Sequence, residues 1–176
     1  MNVSTIRRNF GKLIAGLAFG ALMMTSAPVA SAELVVIDDG AWMNVLGAAS
    51  GEEGSLILVQ MTLDPGAELR AHQHPGAAVV TVESGTLETE VVRGSGTIYR
   101  ASEANTQQEA STQQAIRGTF ATLQAGDSIA YDEYCGKTMA NTGNEPLVLS
   151  VTLLASEGEE LFVFLPITPG ARSTAQ

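Results

Sequence analysis

The stretch SLILVQMTLD, residues 55–64, sets Ile57, Val59, Met61 and Leu63 on one side of an extended chain and Gln60 and Thr62 on the other. Asp64-Pro65-Gly66 then ends it as a turn. The pattern recurs. AAVVTVE (77–83) is β-branched and apolar, Ser84-Gly85 turns the chain, and TLETEVVR (86–93) points Leu87, Thr89 and Val91 away from Glu88 and Glu90. Further short runs are GTIYR (96–100), GTFATL (118–123), SIAY (128–131), PLVLSVTLL (146–154) and LFVFL (161–165), separated by clusters such as Gly126-Asp127 and Asn141-Thr142-Gly143-Asn144-Glu145. No long run at helical period follows residue 33. Many short strands at regular spacing predict an all-β sandwich or closed barrel, which hides exposed strand edges.

One segment departs from this. ASEANTQQEASTQQAI (101–116) is rich in Gln, Ser, Thr and Ala and lacks aromatic residues, so it predicts a polar surface loop, with a lid over the barrel mouth as the sharper alternative.

The start of the chain reads differently from the rest. A basic opening with Arg7, Arg8 and Lys12 precedes LIAGLAFGALMM, an apolar run short for a bilayer, and Ala30-Ser31-Ala32 gives a small-x-small cleavage site. Residues 1–32 therefore predict a cleaved signal peptide near Ala32 and an exported protein, periplasmic or extracellular. Arg7-Arg8-Asn9-Phe10-Gly11-Lys12 resembles a twin-arginine signal, and an ordinary secretory signal remains the alternative. Residues 33–176 then form a single domain. All nineteen acidic residues lie there with only six of the nine basic ones, a net charge of −13. Such a surface repels nucleic acid and anionic membranes. The single cysteine, Cys135, forms no internal disulfide, so apolar burial must hold the fold.

Both histidines fall in AELRAHQHPGAAVV (67–80), where His72 and His74 flank Gln73 and share one strand face. Gly66, His72, His74 and Gly85 sit at the spacing of the first cupin motif, with Ala78 in place of its glutamate. Gly126 and Asn141 bracket the second motif, where Asp132 stands for a proline, Tyr134 for a glycine and Lys137 for a histidine. The chain thus resembles a small single-domain cupin over residues 55–154. That resemblance implies a double-stranded β-helix, or jelly-roll barrel, with its pocket at the mouth. It also implies a degenerate metal site, because two of the four usual ligands are absent and Lys137 brings an amine instead.

Three readings of this site stay open at the sequence level. In the first, Lys137, His72, His74 and Tyr131 surround a small, anionic ligand such as a carboxylate, phosphate or sugar acid, matched by one cation and two imidazole donors. In the second, His72, His74 and Cys135 hold one divalent transition metal, with Met139 as a weak axial contact, and the protein is a cupin-type oxygenase, isomerase or decarboxylase. In the third, the histidines are residual and the domain is a scaffold. The resemblance further implies pairing into a homodimer, with the strand ELVVID (33–38) crossing to a partner and Trp42 capping the barrel or packing on that partner. Tyr99 and Tyr134 are further hydroxyl donors, Glu83 points away from the site, and Glu88 with Glu90 reads as a solvated face.

Overall fold

The computed structural model describes residues 34–51, 54–101, 112–155 and 160–166, all within one compact unit. The expected leader of residues 1–32 lies outside the described residues, as does most of the polar segment. The alternation read from the sequence becomes thirteen strands among these residues: β1 (Leu34–Asp38), β2 (Ala41–Gly51), β3 (Gly54–Leu63), β4 (Glu68–Gln73), β5 (Ala78–Ser84), β6 (Thr86–Arg93), β7 (Ser95–Tyr99), β8 (Thr112–Ile116), β9 (Phe120–Gln124), β10 (Ser128–Tyr131), β11 (Gly136–Asn141), β12 (Leu147–Ala155) and β13 (Val163–Phe164). They form two antiparallel sheets, ordered β1-β2-β3-β12-β5-β10-β7-β8 and β13-β4-β11-β6-β9.

The strand order defines the architecture. From β3 to β6, and again from β9 to β12, each successive strand belongs to the opposite sheet, while β7 and β8 add a hairpin to the larger one. A chain that winds this way closes a double-stranded β-helix, the jelly roll expected from the sequence. The inward faces are those the alternation assigned: Ile57, Val59, Met61 and Leu63 on β3, and Leu87, Thr89 and Val91 on β6. Ala78, Val80 and Val82 complete the facing wall from β5.

β1 pairs with β2 of its own chain, Val36 opposite Trp42. One expectation needs correction. The last five residues of the predicted polar loop, Thr112–Ile116, form β8 against β7, with Ala115 fully buried. A polar strand is tolerated there because β8 ends its sheet, where one face and one edge stay wet.

Candidate functional site

His72 and His74 reach the barrel interior only because β4 is bulged. Opposite β11, Met139 pairs with Leu69 and Lys137 with His72, so β4 spends three residue steps where β11 spends two. Strict alternation from the buried Leu69 would have turned Ala71 and Gln73 inward and both histidines to solvent. The extra residue reverses the phase. The chain is then pinned just past His74: a Cβ at Gly76 would lie 1.9 Å from the Leu154 carbonyl oxygen, so only glycine lets β12 pass this close.

The imidazoles have a fixed polarity. His72 Nδ1 lies 2.9 Å from the Arg70 carbonyl oxygen, and His74 Nδ1 lies 2.5 Å from that of Leu161. A carbonyl only accepts, so each Nδ1 carries the hydrogen and each Nε2 presents a lone pair. The expectation of two imidazole donors is therefore reversed: at neutral pH both rings are acceptors. His72 Nε2 is buried without a hydrogen-bond partner among the described residues. Burial, followed by the nearby Lys137 charge, holds His72 well below the usual imidazole range and takes His74 down to about 3.

Lys137 stands opposite His72 in the ladder and is only 1% exposed. Its Nζ lies 4.9 Å from the centre of the Tyr131 ring. Burial pushes its amine down to about 7, opposed only by the Cys135 thiol among the described residues. Tyr131 contributes its ring and not its hydroxyl. Thr89 Oγ1 donates to the Thr138 carbonyl at 2.7 Å and so accepts from the Tyr131 hydroxyl at 2.8 Å. Tyr131 is paired in register with Ala78, so a large ring stands beside the small residue that replaces the motif glutamate.

Cys135 acts on the Lys137 charge but does not complete a metal-holding group with the histidines. It lies in the turn before β11, next to the left-handed Tyr134, so strand alternation does not carry back to it. The thiol instead packs at the β6–β7 turn, with Sγ 3.7 Å from where a Cβ of Gly94 would be. Among the described residues no three His, Cys, Asp or Glu side chains gather closely enough to hold a metal ion. The free His72 Nε2 with His74 beside it makes half a metal site, but Ala78 offers no ligand and an amine stands opposite His72. The residues present do not fit the transition metal that the cupin resemblance implies.

What the motifs retain is backbone geometry. Gly66, Gly85 and Gly126 all have positive φ, and Tyr134, at the position of the second motif's inner glycine, keeps that conformation at φ 55° as the one non-glycine to do so among the described residues. Its amide donates to the His74 carbonyl at 2.9 Å, so the strained turn braces the histidine segment. Asn141 donates from Nδ2 to the carbonyls of Leu63 and Glu145 and accepts from the Gly143 amide. Tyr99 and Tyr134 are both exposed, and Glu83 points outward as expected.

One residue the sequence reading did not single out dominates the mouth. Phe162 stacks on His72 with ring centres 4.4 Å apart and meets His74 edge-on at 5.3 Å. It belongs to a strap, residues 160–166, held by the Leu161 carbonyl on His74, by β13 alongside β4, and by the Leu165 amide on the Ala71 carbonyl at 2.8 Å. Phe162 and Phe164 fall on one face of LFVFL, and that spacing is the signal available in the sequence. Phe162→Ala is expected to leave a folded protein whose histidines react with diethyl pyrocarbonate several times faster than in the wild type. Unchanged reactivity would show that the strap does not control access.

No family model matches the chain, and no curated protein does. Among solved structures it is similar to an RmlC-like cupin from Shewanella frigidimarina, at 19% identity over 75% of this chain and 91% of that one, with a TM-score of 0.49. It is also similar to KdgF from a Halomonas species, at 15% identity over 77% and 97% of the two chains, with a TM-score of 0.48. A salicylate 1,2-dioxygenase from Pseudaminobacter salicylatoxidans follows at 11% identity over 68% of this chain and 27% of that one, with a TM-score of 0.46. The fold rests on the strand order of the chain itself.

Proposed function

We propose that this chain, a barrel of the cupin fold, binds a small organic acid at its mouth without the usual cupin metal. The observation that carries the reading is the pairing of a buried amine with a buried lone pair, Lys137 opposite a partnerless His72 Nε2. Buried polar atoms are nearly always satisfied. A ligand that offers an oxygen to the amine and a hydrogen to the imidazole would satisfy both. Carboxylic acids with a neighbouring hydroxyl have those two features. The acceptor polarity of both histidines narrows the class: a bare sulfate carries no hydrogen to offer either lone pair near neutral pH.

The charge distribution supports the same class. The region beyond the leader is strongly acidic, yet two of its six basic residues, Arg93 and Lys137, lie on the adjacent strands β6 and β11 near the histidines, while Arg70 on β4 is ion-paired with Asp38. Arg93 donates to Gln73 Oε1 and to the Tyr134 carbonyl, next to His74. Positive charge gathered at one end of an acidic barrel draws small anions toward it.

Thermal melts test the proposal. Lactate, malate or citrate at about a hundredfold above its dissociation constant is expected to raise the melting temperature by about 5–10 °C, and Lys137→Ala is expected to abolish the shift. Elemental analysis decides against the reading if it finds a stoichiometric transition metal whose removal destabilises the protein.

The outer face of the larger sheet bears exposed Leu56, Leu58, Val79 and Leu154, with Leu58 and Val79 both paired to Thr152. This apolar row supports self-association of the sheet face in a homodimer.

A further inference from the structure

Lys137 and Lys12 are the only lysines in the chain, and Lys137 is the only one beyond the leader. A barrel core is a poor place for an ammonium ion, and nothing in the fold requires an amine there. It lies over the Tyr131 ring, between apolar walls, with the causes acting on its charge limited to burial and one thiol among the described residues. Across the ladder, His72 presents a buried Nε2 lone pair with no partner, and His72 is held in place by the Arg70 carbonyl on its other nitrogen. An amine without a counter-ion among the described residues, next to a fixed proton acceptor, is an arrangement for nucleophilic attack.

We propose that Lys137 forms a reversible imine with a small 2-oxo acid, with His72 Nε2 carrying the proton between nitrogen and oxygen. The inference rests on the reading of the mouth as an organic-acid site and names the acid's class. The amine lone pair attacks the keto carbon, a C–N bond forms, and the carbonyl π pair moves to oxygen. A proton leaves nitrogen for His72 Nε2 and is passed to that oxygen. The nitrogen lone pair then expels the hydroxyl group, which takes up one solvent proton relayed by His72 and leaves as water, and C=N remains as an iminium. Amine, ketone and one proton give iminium and water, with no oxidant or reductant. The 2-oxo acid is favoured over a simple aldehyde by charge: its carboxylate is bonded to the iminium carbon, so the buried positive charge is neutralised within the adduct. The depressed basicity of Lys137 serves the same step, because a fraction of the amine is already free at neutral pH.

The test is reductive trapping on the full chain, with pyruvate and cyanoborohydride, read by intact mass and peptide mapping. The expected result is one reduced adduct on the peptide containing Lys137, formed at least tenfold faster than on Lys12 or the amino terminus, and absent in Lys137→Arg. His72→Asn is expected to weaken the lactate-induced melting shift and, at saturating pyruvate, still to slow trapping severalfold; an unchanged trapping rate at saturation would confine His72 to binding and overturn its part in the proton transfer. Because the wild-type labelling pattern is itself decisive, the result stands even where a variant folds poorly. Melting shifts with lactate and pyruvate but no adduct at Lys137 would overturn the imine and leave the organic-acid reading intact. An adduct at Lys137 with no shift from lactate would uphold the imine and sink the wider reading. Labelling spread evenly over all amines overturns the proposal.

Discussion

Lys137→Met is expected to be more stable than the wild type by on the order of 4 kcal/mol at neutral pH, while losing all binding of organic acids. The amine is 1% exposed, and burial brings it from the ordinary lysine value of 10.5 to about 7. In the unfolded chain it binds a proton up to pH 10.5, and in the folded one only up to about 7. Between those values the unfolded state holds more protons, so stability rises with pH. The cost of burying the lysine is largest below pH 7 and vanishes as pH passes 10.5. Methionine has a similar length and no charge, so it removes that cost and fills the space beside Tyr131 with little repacking. The gap between variant and wild type should therefore be widest at pH 6 and close toward pH 10, as read from urea melts across that range. A variant that is less stable at pH 6 would mean that the amine has a partner in the fold, and the case for a ligand-seeking lysine would fail. A stabilising change that destroys binding is the signature of a group kept for function at the expense of the fold.

How much of this was legible in the sequence depends on whether the information was local. Ile57, Val59, Met61 and Leu63, or Leu87, Thr89 and Val91, declare their face by alternation alone, and all seven are buried. The motif glycines were legible too, because a left-handed turn such as that at Gly85 has few alternatives. Simple alternation correctly placed His72 and His74 together but did not show that a bulge had to turn both inward, since that follows from pairing with β11 sixty-five residues later. The polarity of the imidazoles was equally hidden. It is set by carbonyls at Arg70 and Leu161, the second of them 87 residues away. The case of Cys135 is similar: two-residue spacing implied a shared face with Lys137, but β11 begins only at Gly136 and the left-handed Tyr134 precedes the cysteine. Phe162 was visible as a strand residue in LFVFL, but which rings it would cover depends on where the strap returns. Local pattern thus fixed which residues are inside; long-range register fixed what they do there.

Acid is expected to destabilise the wild type steeply between pH 6.5 and 4, above the range where paired carboxylates act. His74 is neutral in the fold down to about pH 3, whereas in the unfolded chain it charges at 6.5. Its neutral form contributes fully above 6.5, and the contribution is lost as pH falls toward 3, reaching about 3 kcal/mol by pH 4. His72, held well below the usual imidazole range by burial, Lys137 and His74, adds to the same limb. Asp38 and Asp127 are shifted down from 3.8 by the contacts that oppose burial, so their loss falls below pH 4 and leaves the upper window to the histidines. His74→Asn is the discriminating variant, because an amide can still donate to the Leu161 carbonyl yet takes up no proton. Its melting temperature should fall less than the wild type's between pH 6.5 and 4, while the two should run parallel from pH 7 to 8. Parallel curves through the acid window would mean that His74 is already charged in the fold. Its Nε2 would then be a donor, and a bare anion would become the better ligand for the barrel mouth.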